Sequence, residues 1–340
     1  MENGCQRLFA SKTGFIKQFI AINLDGALWS GIPSPNKRLG HSNDNKSDPA
    51  RITDNFHCLG PAPVPSFLLD GKRPVMFEAG IYLFGPHYYD QLLRILGERR
   101  PAYLLLTHVH FDHCGAAGYL RRMIPDMHIG ASREGSEIVK KPSAIELITK
   151  LNRFGNDAAP PFEPFTVDMV LNDGDEIEVS PGLVVQAIRT PGHTRDMTTY
   201  YIPALKAMIP SESIGVPGAG DYIMSEFLID YDVYMNSLRS LAGYEVEILI
   251  ISHGVYYTGD DARAYIPRSI EATERFREWV ERLLDRHGGD SEAVMRDIKS
   301  AEYDILEGEK QPEPAYMLNL KAKIEAVQRR LALREAGAGR

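Results

Sequence analysis

Four of the six residues from His108 to His113 can bind a metal ion: His108, His110, Asp112 and His113, in the run His-Val-His-Phe-Asp-His. The chain holds only ten histidines, so chance would scatter them and not set three within six positions. Imidazole nitrogens with a carboxylate oxygen suit zinc, iron or manganese. Such ions lower the pKa of a bound water from about 16 to about 7. The chemistry indicated is hydrolysis by a metal-bound hydroxide, which needs no protein nucleophile.

One short turn supplies too few ligands for a complete centre, so further histidines are expected in the same local setting, a strand end followed by a tight turn. The motif itself follows the apolar run Tyr103-Leu104-Leu105-Leu106. His193 has this setting: a strand over 183–189 ends before Pro191-Gly192-His193-Thr194. His253 has it too, after the buried-strand pattern Ile248-Leu249-Ile250-Ile251-Ser252 and before Gly254. The glycines let the backbone turn sharply. Between them, Met208-Ile209-Pro210-Ser211-Glu212 places a carboxylate just past another strand end, with Asp221 as an alternative acid nine positions later. His41, His57, His87, His128 and His287 lack this context, and Cys114 reads as a small packing residue.

These elements, taken in order over residues 52–258, resemble the metallo-β-lactamase superfamily. The resemblance implies a four-layer αββα sandwich within the α/β class, with metals at one edge of two sheets. It implies that His108, His110 and His193 bind one metal, that Asp112, His113 and His253 bind a second, and that Glu212 stands where the family has a bridging Asp. Glu78, in Phe77-Glu78-Ala79-Gly80, stands where the family has a buried Asp that braces the motif loop. The full ligand set resembles the glyoxalase II-like, two-metal branch, and the layout is similar to acyl-CoA thioesterases within it. Glu78-Ala79-Gly80-Ile81, Leu151-Asn152-Arg153 and Leu228-Ile229-Asp230-Tyr231-Asp232 share in that looser likeness. The resemblance implies two divalent ions (Zn, Fe or Mn) and hydrolysis of a thioester, acyl-CoA-like or acylglutathione-like. Asp112 then doubles as a proton shuttle to the leaving group. A lactonase, a persulfide dioxygenase or a regulatory interaction protein on the same scaffold are the alternatives. Arg195, Tyr256, Tyr257, Tyr316 and Met317 are candidate lining residues of the substrate pocket.

The elements that must hold such a site come from ordinary globular composition: 340 residues, 44% hydrophobic and 25% charged. A formal charge of −8 disfavours a nucleic-acid partner, leaving a small-molecule substrate. Three cysteines without motif spacing suggest a reducing compartment, so a cytoplasmic location is expected. No apolar stretch has the length of a membrane span, and the segment 15–24 is interrupted by Lys17 and Gln18. Residues 1–48 include a Pro-, Asn-, Ser- and Gly-rich stretch and read as a flexible N-terminal arm.

Residues 49–258 read as the catalytic core, with strands near 52–58, 66–70, 74–78, 102–107, 127–130, 175–180, 183–189, 198–202, 205–209 and 247–252. Helices are expected near 86–98, 112–124, 133–152 and 230–242. Residues 259–340 form a C-terminal helical extension, its first helix capped by Asp260 or Asp261. The last helix carries Met317, Leu320, Ile324, Val327 and Leu331 at spacings of three and four. That stripe packs on the protein's own core or forms the seam of a homodimer.

Overall fold

The computed structural model describes residues 49–61, 63–153, 161–218, 221–253, 255–306 and 310–338. The N-terminal arm expected over 1–48 lies outside these residues. The described chain forms a mixed α/β fold, sheets with helices and a helical C-terminus, divided into two compact units. One unit runs up to Ala187 and takes in His253–Val255; the other holds Ile188–Ser252 and Tyr256 onward. No helix among the described residues is long and apolar enough to cross a membrane.

The first unit is built on a seven-stranded sheet in sequence order: β1 (Ala50–Arg51), β2 (Phe56–Leu59), β3 (Ser66–Leu69), β4 (Val75–Phe77), β5 (Tyr103–Leu105), β6 (His128–Ser132) and β7 (Met169–Leu171). The pairs from β1 to β4 are antiparallel and those from β4 to β7 parallel. β4 and β5 are buried along every residue, as parallel strands covered on both faces must be, which explains their unbroken apolar sequences. β7 was not expected. The hairpin of β8 (Glu176–Ser180) and β9 (Leu183–Arg189) forms across Pro181-Gly182 as expected.

Helix α1 (Gly85–Leu96) carries Pro86 in its first turn, where the missing N–H is harmless. The helix expected over 112–124 is two, α2 (Phe111–Cys114) and α3 (Ala117–Met123), parted at Gly115-Ala116. The helix expected over 133–152 is also two, α4 (Arg133–Ile138) and α5 (Pro142–Asn152). Pro142 stops the first and starts the second, since a proline ring clashes with the preceding turn but fits an N-terminus.

In the second unit β10 (Thr198–Ile202) pairs antiparallel with β11 (Ala207–Ile209), and β11 pairs parallel with β14 (Ile248–Ile251). A small hairpin, β12 (Val216–Pro217) with β13 (Ile223–Met224), precedes α6 (Tyr231–Leu241), which Asp230 caps by accepting from the Val233 N–H. β15 (Val255–Thr258) leads into α7 (Asp260–Arg286), then α8 (Ser291–Glu302) and α9 (Glu313–Ala338). The cap position of α7 is Gly259, not an aspartate; Asp260 and Asp261 lie in the first turn, where they favour the positive end of the helix dipole. On α9, Leu320, Ile324 and Val327 are buried in the core that also contains Phe276, Val280 and Val294, and Met317 and Leu331 pack against it. The stripe therefore covers the unit's own core.

Candidate metal centre

The motif residues leave the end of β5 and wind directly into α2. Their rings are crowded: His108 and His110 centroids lie 4.5 Å apart, His108 and His113 4.2 Å, and His113 and His253 5.6 Å. Asp112, His113 and His253 present ligand atoms within 4.8 Å of one another. His113 Nε2 lies 3.9 Å from Asp112 Oδ2. That is too long for a hydrogen bond, yet inside the about 4.4 Å that two donors span across one ion at about 2.2 Å each.

Three of these rings, His108, His113 and His253, are braced from behind. His113 Nδ1 is 2.9 Å from Glu78 Oε2, and Glu78 Oε1 accepts from the Thr107 N–H at 3.0 Å. Glu78, almost fully buried at the end of β4, thus ties the motif loop to its neighbouring strand. His253 Nδ1 donates to the Pro63 carbonyl at 2.8 Å. A carboxylate or carbonyl can only accept, so Nδ1 carries the proton in both rings and Nε2 keeps its lone pair for a cation. Thr107 Oγ1 faces His108 Nδ1 at 3.0 Å.

The second unit repeats this logic. His193, buried after β9, donates from Nδ1 to the Glu226 carbonyl at 2.8 Å, again leaving Nε2 for ligation. Gly192 has φ 138°, and a Cβ there would lie 2.5 Å from Tyr234 Cα, so only glycine fits the turn that presents His193. Glu212, buried just past β11, has Oε2 bonded by the Ser211 hydroxyl, which also meets Ser252 Oγ at 2.6 Å. The Tyr234 hydroxyl donates to the Glu212 carbonyl at 3.1 Å, and burial pushes its pKa well up, so it stays a neutral donor. The Asp221 side chain is 92% exposed and faces Arg268 at 3.5 Å, so of the two acids Glu212 is the buried one.

Backbone strain marks the same places. Among the described residues four non-glycines have positive φ; Glu78, Ser211 and His253 are three of them. Each conformation costs on the order of 1–3 kcal/mol and persists only where the surroundings over-determine it.

The candidate pocket residues divide. Arg195 is exposed, and Tyr256 and Tyr257 are half-buried. Tyr316 is 1% exposed, its hydroxyl donates to Glu302 at 2.7 Å, and its ring stacks on Tyr303 at 4.5 Å. Met317 packs against the same core. These are packing contacts within the helical bundle. Cys114 is fully buried, as its small size suggested. Asn152 is a positioning residue that residue types did not single out: Oδ1 accepts from the Tyr82 N–H at 2.8 Å, and Nδ2 reaches the Phe111 carbonyl at 3.4 Å. The Glu226 and Pro63 carbonyls were equally invisible, because any residue type supplies one.

A profile of the metallo-beta-lactamase superfamily matches residues 59–253, more than half of the chain. The chain belongs to this superfamily. Curated relatives include hydroxyacylglutathione hydrolase GloC of Haemophilus influenzae, 30% identical over 47% of this chain and 73% of that protein. An atrochrysone carboxyl ACP thioesterase of Emericella nidulans is 24% identical over 73% of this chain and 67% of that protein. The match to glyoxylase B2 of Dictyostelium discoideum is 30% identical but spans only 36% of that protein and 33% of this chain. Among solved structures, an archaeal superfamily protein from Sulfolobus tokodaii superposes with TM-score 0.54 at 14% identity, over 82% of this chain and 99% of its own. A metallo-beta-lactamase from Cronobacter sakazakii gives 0.51 at 21% identity, over 67% of this chain and 93% of its own. These likenesses establish the superfamily's fold, as the motif order implied.

Proposed function

We propose that this superfamily member is a two-metal hydrolase acting on a thioester. In this reading, following the resemblance, His108, His110 and His193 would hold one ion and Asp112, His113 and His253 the other, and Glu212 would be the carboxylate they share. The donor set fits divalent transition ions, because five imidazoles and two carboxylates are offered and His113, His193 and His253 have Nδ1 already occupied. Bound there, two such ions would supply Lewis acidity and a water acidic enough to act near neutral pH.

The observation that carries the two-metal reading is the second ligand set, Asp112, His113 and His253, gathered within 4.8 Å. Relatives named as an ACP thioesterase and a hydroxyacylglutathione hydrolase favour a thioester substrate. The chain's own residues then have defined tasks. Glu78 and the Pro63 and Glu226 carbonyls hold the rings at fixed angles. Asp112, half-buried beside His113, carries a proton toward the departing sulfur. Arg195, Tyr256 and Tyr257 contact the substrate.

The test is elemental analysis of freshly purified protein, followed by a panel of thioesters, lactones and phosphodiesters. Two transition-metal ions per chain with thioester turnover is the expected result. Protein without stoichiometric metal, or one that cleaves lactones and no thioester, overturns the proposal.

A further inference from the structure

Lys323, near the middle of α9, is 0% exposed. Its ammonium lies over the Phe276 ring at 4.9 Å and donates to the Ser225 carbonyl at 3.1 Å. No carboxylate oxygen lies within ion-pair distance, 4.0 Å, of that ammonium among the described residues. Burying an ammonium without a counter-ion is expensive, and an apolar side chain of similar length would pack the same space at lower cost. What the lysine adds is its grip on one peptide group.

That peptide joins Ser225 to Glu226, and the Glu226 carbonyl is the acceptor for His193 Nδ1. The same segment is held at other points by α7. The Ser225 hydroxyl donates to Thr273 Oγ1 at 3.0 Å, and the Ser269 hydroxyl bonds the Ile214 carbonyl, two residues past Glu212. Ser225, Ser269, Thr273 and Lys323 are all fully buried. Ser269 and Thr273 are one helical turn apart, so they form a polar line on the face of α7 that meets this segment. A hydrophobic bundle has no need of such a line.

We infer that Lys323 is a positioning residue of the metal centre: through the Ser225–Glu226 peptide it fixes the acceptor that sets the angle and tautomer of His193. The helical C-terminus thereby acts on the metal site without contributing a ligand. This inference rests on the proposed two-metal reading.

The test uses the full-length chain, stripped of metal and titrated with zinc against a chelator, alongside thermal melts of the metal-free protein. Lys323→Met should weaken one of two zinc equivalents about 10–100-fold, the usual cost of losing a partner that orients a ligand. The metal-free melting temperature should stay level or rise, since a buried charge has been removed. A wild type that binds no zinc overturns both the two-metal reading and this inference. A wild type that binds zinc, with Lys323→Met binding it as tightly, overturns the inference alone, as does a loss of affinity matched by a lower metal-free melting temperature. Should Lys323→Met not fold, Thr273→Val decides: weaker zinc binding at an unchanged metal-free melting temperature supports the inference, and any other result overturns it.

Discussion

The two units present their metal-ligand candidates in opposite ways. In the first, four of the five candidates come from six consecutive residues, and the brace of His113, Glu78, sits at the end of the adjacent strand; only His253 arrives from far along the chain. In the second, His193 and Glu212 stand nineteen positions apart and depend on groups far along the chain: Ser269 is 55 residues beyond Ile214, and Lys323 is 98 beyond Ser225. A compact motif carries most of its geometry locally. A dispersed pair must borrow it from helices that pack later in the sequence. The first arrangement is therefore sensitive to changes within a few residues, and the second to changes anywhere in the bundle that shift 211–226.

The largest effect is expected where one ring serves both as ligand and as brace. His113→Ala should abolish binding at the second ligand set and leave the buried Glu78 carboxylate without its ring partner. Elemental analysis should show the metal loss, and denaturant melts of the metal-free protein a loss of about 2 kcal/mol. Metal content equal to wild type would show that the local motif does not hold the ion.

Glu212→Gln sharpens the comparison in the other arm. It should lower metal occupancy and hydrolysis together, while Asp221→Asn, altering an exposed group, should leave both unchanged. The reverse pattern would assign the bridging role to Asp221.

Gly192→Ala probes the backbone that presents His193. An added Cβ meets Tyr234 Cα at 2.5 Å, and φ 138° is strained for any other residue. A destabilisation of about 1–3 kcal/mol in thermal or urea melts is expected, with the first unit's motif unaffected in zinc stoichiometry at low temperature. A stability equal to wild type would mean that this turn yields easily.

The smallest effect is expected outside both arms. A chain beginning near Pro49 should stay folded and hydrolyse the same substrates, because the composition of 1–48 lies outside the alternating apolar pattern that starts at Ile52. Loss of folding on truncation would show that the 15–24 segment docks on the core.

Much of the first arm was legible in the sequence. Three imidazoles and a carboxylate in six positions declare a metal chemistry through residue type alone, and the strand-end settings of His193 and His253 follow from apolar runs ended by Gly-containing turns. Glu212 was legible by the same strand-end rule, and the apolar periodicity of α9 announced its buried face. Helix boundaries were less so: apolar periodicity runs smoothly through Gly115 and Pro142, while the backbone breaks at both.

What only the tertiary structure decided is the set of groups behind the ligands. The acceptors for His193 and His253 are backbone carbonyls, which every residue owns, so no residue type could point to Glu226 or Pro63. The left-handed φ at Glu78, Ser211 and His253 likewise opposes local preference and exists because surrounding hydrogen bonds enforce it. Lys323 reads in sequence as one more solvated charge on a helix. Burial against Phe276 and the Ser225 carbonyl is a property of how α7 and α9 pack, which depends on contacts a hundred residues apart and not on the pattern around it.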